Sequence, residues 1–170
     1  MSSSASVPSV AVAPRWAIDV GVAAVVTFVC VLGTVHMEPE LPADRPIDAL
    51  ALVAAVVAAV SLVASRRVPW FVFAIAMVAV AVYTGRAYPG GPIYLAGAIA
   101  LFGVALVVPR RVAYGLAAAT GAVLFAISVV ARRDVDLNDV LFVLWPAVAV
   151  LAADAVRGRR ERALAELERA

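Results

Sequence analysis

The only histidine of the chain, His36, is followed by Glu38 and Glu40 in the stretch HMEPE. One imidazole with two nearby carboxylates could hold a divalent metal. The same ring could sense pH, because histidine titrates near neutrality. The setting argues for something plainer. There is no second histidine or neighbouring cysteine, and the segment is short and broken by proline, so a solvated loop with no metal is expected. A second candidate is aromatic: Tyr83, Tyr88 and Tyr94 lie within twelve residues of one another. They could line a ligand site, or act as rings anchored at a lipid–water boundary. Asp19, Asp48 and Asp154 stand near the ends of apolar runs. Asp19 and Asp154 could pair with nearby arginines, although solvation at an interface is the simpler reading. No phosphate-binding loop, nucleophile elbow, paired-cysteine motif or HExxH zinc motif occurs. No catalytic residue and no cofactor are expected.

The elements that carry these residues are apolar. The 170 residues are 65% hydrophobic and 15% charged, against ~25% charged in an ordinary soluble domain. The charges fall in short clusters between long apolar runs, which is the pattern of a polytopic membrane protein. Six runs stand out, at about 16–35, 46–64, 69–84, 92–108, 112–131 and 139–156. They are continuous rather than alternating, so helices are expected, and helices satisfy their own backbone groups in lipid. The expected fold is all-α: six transmembrane helices in up-down hairpins, followed by a short cytoplasmic helix. The third run reads as the shortest. Residues 1–14 read as a disordered tail and not as a cleaved signal peptide, 15–156 as the membrane domain, and 157–170 as a juxtamembrane signalling helix.

Arginine sets the orientation, since no lysine is present. With the N-terminus inside, the inner segments hold Arg15, Arg66, Arg67, Arg110, Arg111 and the arginines from Arg157 to Arg169. The outer segments hold Arg45, Arg86, Arg132 and Arg133. The positive-inside rule then places both termini in the cytoplasm and the chain in the plasma membrane. Arg132 and Arg133 are the misfit, set beside Asp134, Asp136 and Asp139. Trp16, Trp70 and Tyr114 fall at the inner boundary, and the three outer tyrosines at the other. The lone Cys30 cannot form an internal disulfide and reads as a packing residue.

Four further features bear on mechanism. Pro146, in LFVLWPAVAV, removes a helix hydrogen bond and should kink the last span. In AYPGGPIY, residues 87–94, two prolines flank two glycines, which supply the positive φ angles of a tight turn. In the fifth run Gly115 and Ala119, and Ala117 and Gly121, share a four-residue spacing that permits close helix contact. The end of the chain, RGRRERALAELERA, is helix-forming. Leu164 and Leu167 lie on one face with Arg160 a turn before. This is the start of a coiled-coil seam, or else a basic anchor on anionic lipid.

From DRPIDALAL through SRRVPW and YPGGPIYLAGAIALFGVA to RRERALAELERA, over roughly residues 44–170, the chain resembles the N-terminal membrane region of actinobacterial sensor histidine kinases of the nitrate-response and desaturase-sensor class. The resemblance implies a tail that runs straight into a phospho-accepting helix. It implies homodimerisation through that helix, a kinase core in the same chain or a partner, and a response regulator downstream. No histidine box or ATP-binding domain lies in these residues, so no family catalytic residue carries over and no enzyme activity is expected of them alone. The resulting expectation is a sensor input module in the lipid bilayer, with no nucleic-acid partner. Pro146, Arg160, Leu164 and Leu167 form its relay, and His36, Tyr83, Tyr88 and Tyr94 are weaker sensing candidates. The alternatives are a small transporter or channel, which the uncharged middles of spans two to five disfavour, and a structural membrane subunit.

Overall fold

The computed structural model describes residues 15–37, 44–132 and 137–169, apart from the side chains of 15, 16, 18 and 137–143. Six helices follow one another: α1 (Arg15–Val35), α2 (Ala49–Ser61), α3 (Pro69–Gly85), α4 (Ile93–Ala105), α5 (Arg110–Arg132) and α6 (Leu137–Arg169). A single 3₁₀ turn, Leu62–Ala64, extends α2. No strand occurs among the described residues. The expected tail of 1–14 lies outside them.

Local chemistry fixes the helix ends. Asp48 caps α2 by accepting from the backbone N–H groups of Leu50 and Ala51, at 3.0 and 3.1 Å. Pro69 opens α3, where its missing N–H costs nothing. The chain leaves α4 at Leu106 and turns before Pro109, because a residue preceding proline is steered out of the helical region. As a result the third helix is not the shortest: α3 has 17 residues, and α2 and α4 have 13 each. Among the described residues only α5, with 23, is by itself long and apolar enough to cross a membrane. The stretches Asp19–Val35, Ala49–Ala64, Pro69–Gly85 and Ile93–Ala105 are apolar but shorter.

α4 lies at the centre and touches every other helix. It is apolar all round, as suits a helix with neighbours on most of its faces. The other five stand around it in the order α1, α2, α3, α5, α6. That ring is not closed, since no contact joins α1 to α6 among the described residues. The loops 44–48 and 86–92 lie at one end of the bundle, here the loop end. The turns 65–68 and 106–109 lie at the other, the tail end, from which α6 continues.

On α2 the small residues face inward and the larger ones outward. On α2, Ala51, Ala54, Ala55, Ala58 and Ala59 are buried, while Val53, Val56, Val57 and Val60 are exposed. α1 exposes Val25, Phe28, Leu32 and Val35, and α3 exposes Trp70, Phe71 and Val78. Of the two small-residue pairs on α5, Ala117 and Gly121 face the core, whereas Gly115 and Ala119 are exposed.

Candidate functional site

A buried polar network occupies the loop end. Arg132, the last residue of α5, reaches inward: its Nη2 donates to the Tyr88 carbonyl at 2.9 Å and lies 3.4 Å from Asp44 Oδ1. The two side chains of this ion pair are only 4% and 3% exposed. The arginine that misfits the charge distribution is therefore neutralised inside the protein. Asp48 gathers the neighbouring groups. It caps α2, accepts from Tyr88 Oη at 2.5 Å and pairs with Arg45 at 3.0 Å. The Tyr88 hydroxyl, the Ala51 and Leu50 amides and the Arg45 charge hold the Asp48 carboxyl below its ordinary range, against some opposing burial. Burial, with the Asp48 carboxylate as second cause, pushes the Tyr88 phenol up.

From this network a chain of rings crosses the bundle. Arg45 sits 5.7 Å over the Tyr88 ring. Tyr88 packs on Tyr83 at 5.0 Å, Tyr83 on Tyr94 at 6.4 Å edge-on, and Tyr94 on Trp145 at 6.5 Å. Tyr94 Oη also bonds Thr84 Oγ1 at 3.1 Å. The boundary-anchor expectation fails for Tyr83 and Tyr88, which are fully buried. The turn that delivers Tyr88 sharpens this cluster, because the residue with positive φ is Ala87, at 54°, and neither described loop glycine shares it. Its carbonyl accepts from the Arg45 amide at 2.8 Å. Gly91 serves another purpose: a Cβ there would stand 3.1 Å from Tyr83 Oη.

Beside the rings lies a cavity of about 820 Å³, walled by α4 on one side and α6 on the other. Tyr94, Ala98 and Phe102 face Trp145, Val148 and Ala152 across it, with Arg132 and Gly91 also in the wall. Met37, just past α1, contributes too, so the cavity coincides with the break in the ring. Gly97 lets α4 approach the Trp145 ring, since a Cβ there would come within 3.2 Å of it.

The tail end carries a second polar cluster, and it is open to solvent. Arg110 pairs with Asp154 at 2.7 Å and reaches Glu161 at 3.4 Å. Arg157 donates to the Val108 carbonyl at 2.6 Å, and Tyr114 Oη lies 3.4 Å from Asp154. On the far side Arg66 pairs with Asp19 at 2.5 Å. Pairing therefore replaces plain solvation for both Asp19 and Asp154.

α6 runs unbroken through the buried Pro146 into the tail. Arg160, Leu164 and Leu167 are exposed there, the leucines by 62% and 76%. His36 is exposed, with Nδ1 2.8 Å from the Leu32 carbonyl. Glu38 and Glu40 lie outside the described residues, among which no metal-binding cluster occurs. Cys30 is buried, its thiol donating to the Pro92 carbonyl at 3.2 Å. Sequence reasoning missed the Asp44–Arg132 pair and Trp145. Their signals were present: an arginine on the wrong side of the charge count, and a tryptophan beside the proline in the interior of α6. No protein-family model, curated protein or solved structure matches the chain.

Proposed function

We propose that the chain is the membrane-embedded input module of a histidine-kinase-type signalling system. Six helices cross the bilayer, and both termini are cytoplasmic. The exposed valines, leucines and phenylalanines around an alanine-rich interior support the membrane reading, because a bilayer stabilises that outward face. α4, at about 20 Å, is short for a span, but its neighbours shield it from lipid along most of its length.

One observation carries the signalling reading. The helix that walls the cavity at Trp145 is the same uninterrupted helix that presents Leu164 and Leu167 beyond the bundle. A shift of α6 at the cavity becomes a rotation or tilt of the tail, and the leucine face passes it to a kinase dimer. A two-state element with a gap of a few kcal/mol is enough for such a switch.

The test is a fusion of residues 1–170 to a kinase core, with one to four residues inserted after Arg162. Insertion at that point leaves the contacts of Asp154, Arg157 and Glu161 in place. Each added residue turns the helix by about 100°, so autophosphorylation should rise and fall with insertion length. Activity indifferent to insertion length would sink the relay.

A further inference from the structure

The cavity between α4 and α6 differs from the groove between α2 and α3. The groove between α2 and α3, lined by Leu50, Val53, Val57, Ile75, Val78 and their neighbours, is aliphatic throughout. The α4–α6 cavity also contains hydrogen-bonding groups. Trp145 lines it, and its indole N–H is buried with no hydrogen-bond partner among the described residues. Gly91 forms another part of the wall. Behind it, outside the cavity lining, lies the buried Tyr83 Oη, which has no hydrogen-bond partner among the described residues. A buried donor left unpaired costs about 1–3 kcal/mol, so the Trp145 indole N–H in the cavity wall calls for an acceptor from outside the chain. The charge balance is already closed: Arg132 is matched by Asp44 at 3.4 Å and by the Tyr88 carbonyl at 2.9 Å. An added anion would have to compete with the Asp44 carboxylate for Arg132. The volume, about 820 Å³, lies within the range of sites that enclose a small molecule.

We propose that this cavity binds an uncharged lipophilic molecule bearing a hydrogen-bond acceptor, of the ketone or ester class, and that Trp145 Nε1 donates to the acceptor. The molecule enters through the gap between α1 and α6. This inference rests on the membrane reading above, since the bilayer supplies the ligand and the gap opens onto it.

The test uses the full chain in phosphatidylcholine nanodiscs with ¹⁵N-labelled indoles, the Trp145 resonance being assigned by Trp145→Phe. Three probes of equal chain length are compared: 2-tetradecanone, tetradecane and tetradecanoate. The ketone should move the Trp145 indole proton downfield and saturate. The hydrocarbon should leave it unmoved, and the carboxylate should bind about tenfold more weakly. Ala98→Phe, which fills the cavity from α4, should abolish the ketone response. Ala152→Phe does the same from the exposed side of α6 and serves if the first variant fails to fold. Equal shifts from tetradecane, tighter binding of the carboxylate, or an undiminished response in a folded filled-cavity variant would each overturn the proposal. The outcome is separable from that of the relay. Saturable ketone binding with a kinase fusion that ignores insertion length overturns the relay alone. A fusion that responds to insertion length, with a Trp145 resonance that never moves, overturns the site alone.

Discussion

The two ends of the bundle are built from the same chemistry in opposite surroundings. At the loop end Arg132 and Asp44 are almost fully buried. At the tail end Arg110 and Asp154 are 52% and 30% exposed. A buried pair is expensive to form and far more expensive to break singly, because the survivor is left charged without a partner. An exposed pair contributes little and is screened by salt. The loop end is therefore held in one arrangement, while the tail end is only biased toward one. On the proposed reading this is a useful division: the rigid end supports the cavity wall, and the labile end lets α6 move where the tail begins.

The sharpest way to break the contrast is Asp44→Ala. It should cost about 3–5 kcal/mol, read as a fall in the thermal midpoint in detergent micelles. Adding Arg132→Met to Asp44→Ala should recover part of that loss. A cost below 1 kcal/mol would put the two ends on an equal footing.

Packing gives a second test. A Cβ at Gly33 would stand 2.5 Å from Pro92 Cγ, so Gly33→Ala should destabilise the loop end by about 1–3 kcal/mol. Gly158 has open space around it within α6, so Gly158→Ala should instead stabilise the tail helix by about 0.5–1 kcal/mol. Helicity by circular dichroism and the thermal midpoint report the two signs.

Third, Arg110→Gln should cost no more than about 1 kcal/mol, and the cost should shrink between low and high salt. A salt-independent loss would mean that the tail-end clamp is as desolvated as the loop-end pair.

The smallest effect concerns pH. The folded-state pKa of Asp48 is depressed, chiefly by the Tyr88 hydroxyl. Its contribution is present above the unfolded carboxyl value, ~3.9, and is lost as pH falls through the lower folded value. Tyr88→Phe should flatten the acid limb of the stability profile without altering it near neutrality. An unchanged limb would separate Tyr88 from Asp48 energetically.

The helices were legible in the sequence because each is a continuous apolar run between proline or charged turns. Pro69 and Pro109 marked boundaries that the structure keeps close to those positions. The depth of each run was not legible. Uniform apolarity cannot distinguish the central α4 from α2, which shows valines to the outside, because apolar residues alone do not say which face a neighbouring helix covers. For the same reason Tyr83 and Tyr88 read as boundary rings, when the 86–92 loop folds back and carries Tyr88 inside. Arg132 was legible only as an anomaly, since its partner Asp44 lies 88 positions earlier and no local spacing connects them.

The central position of α4 constrains the order of assembly. A chain emerging N-terminus first presents α1, α2 and α3, which pack on one another in sequence, before α4, the helix that touches all three. α5 and α6 join afterwards, and among the described residues α6 leans on α4 and α5. Of the six helices, the one that bears the tail is thus the last recruited. Loss of the C-terminal hairpin should leave a four-helix remnant, whereas loss of α4 should leave nothing to gather around.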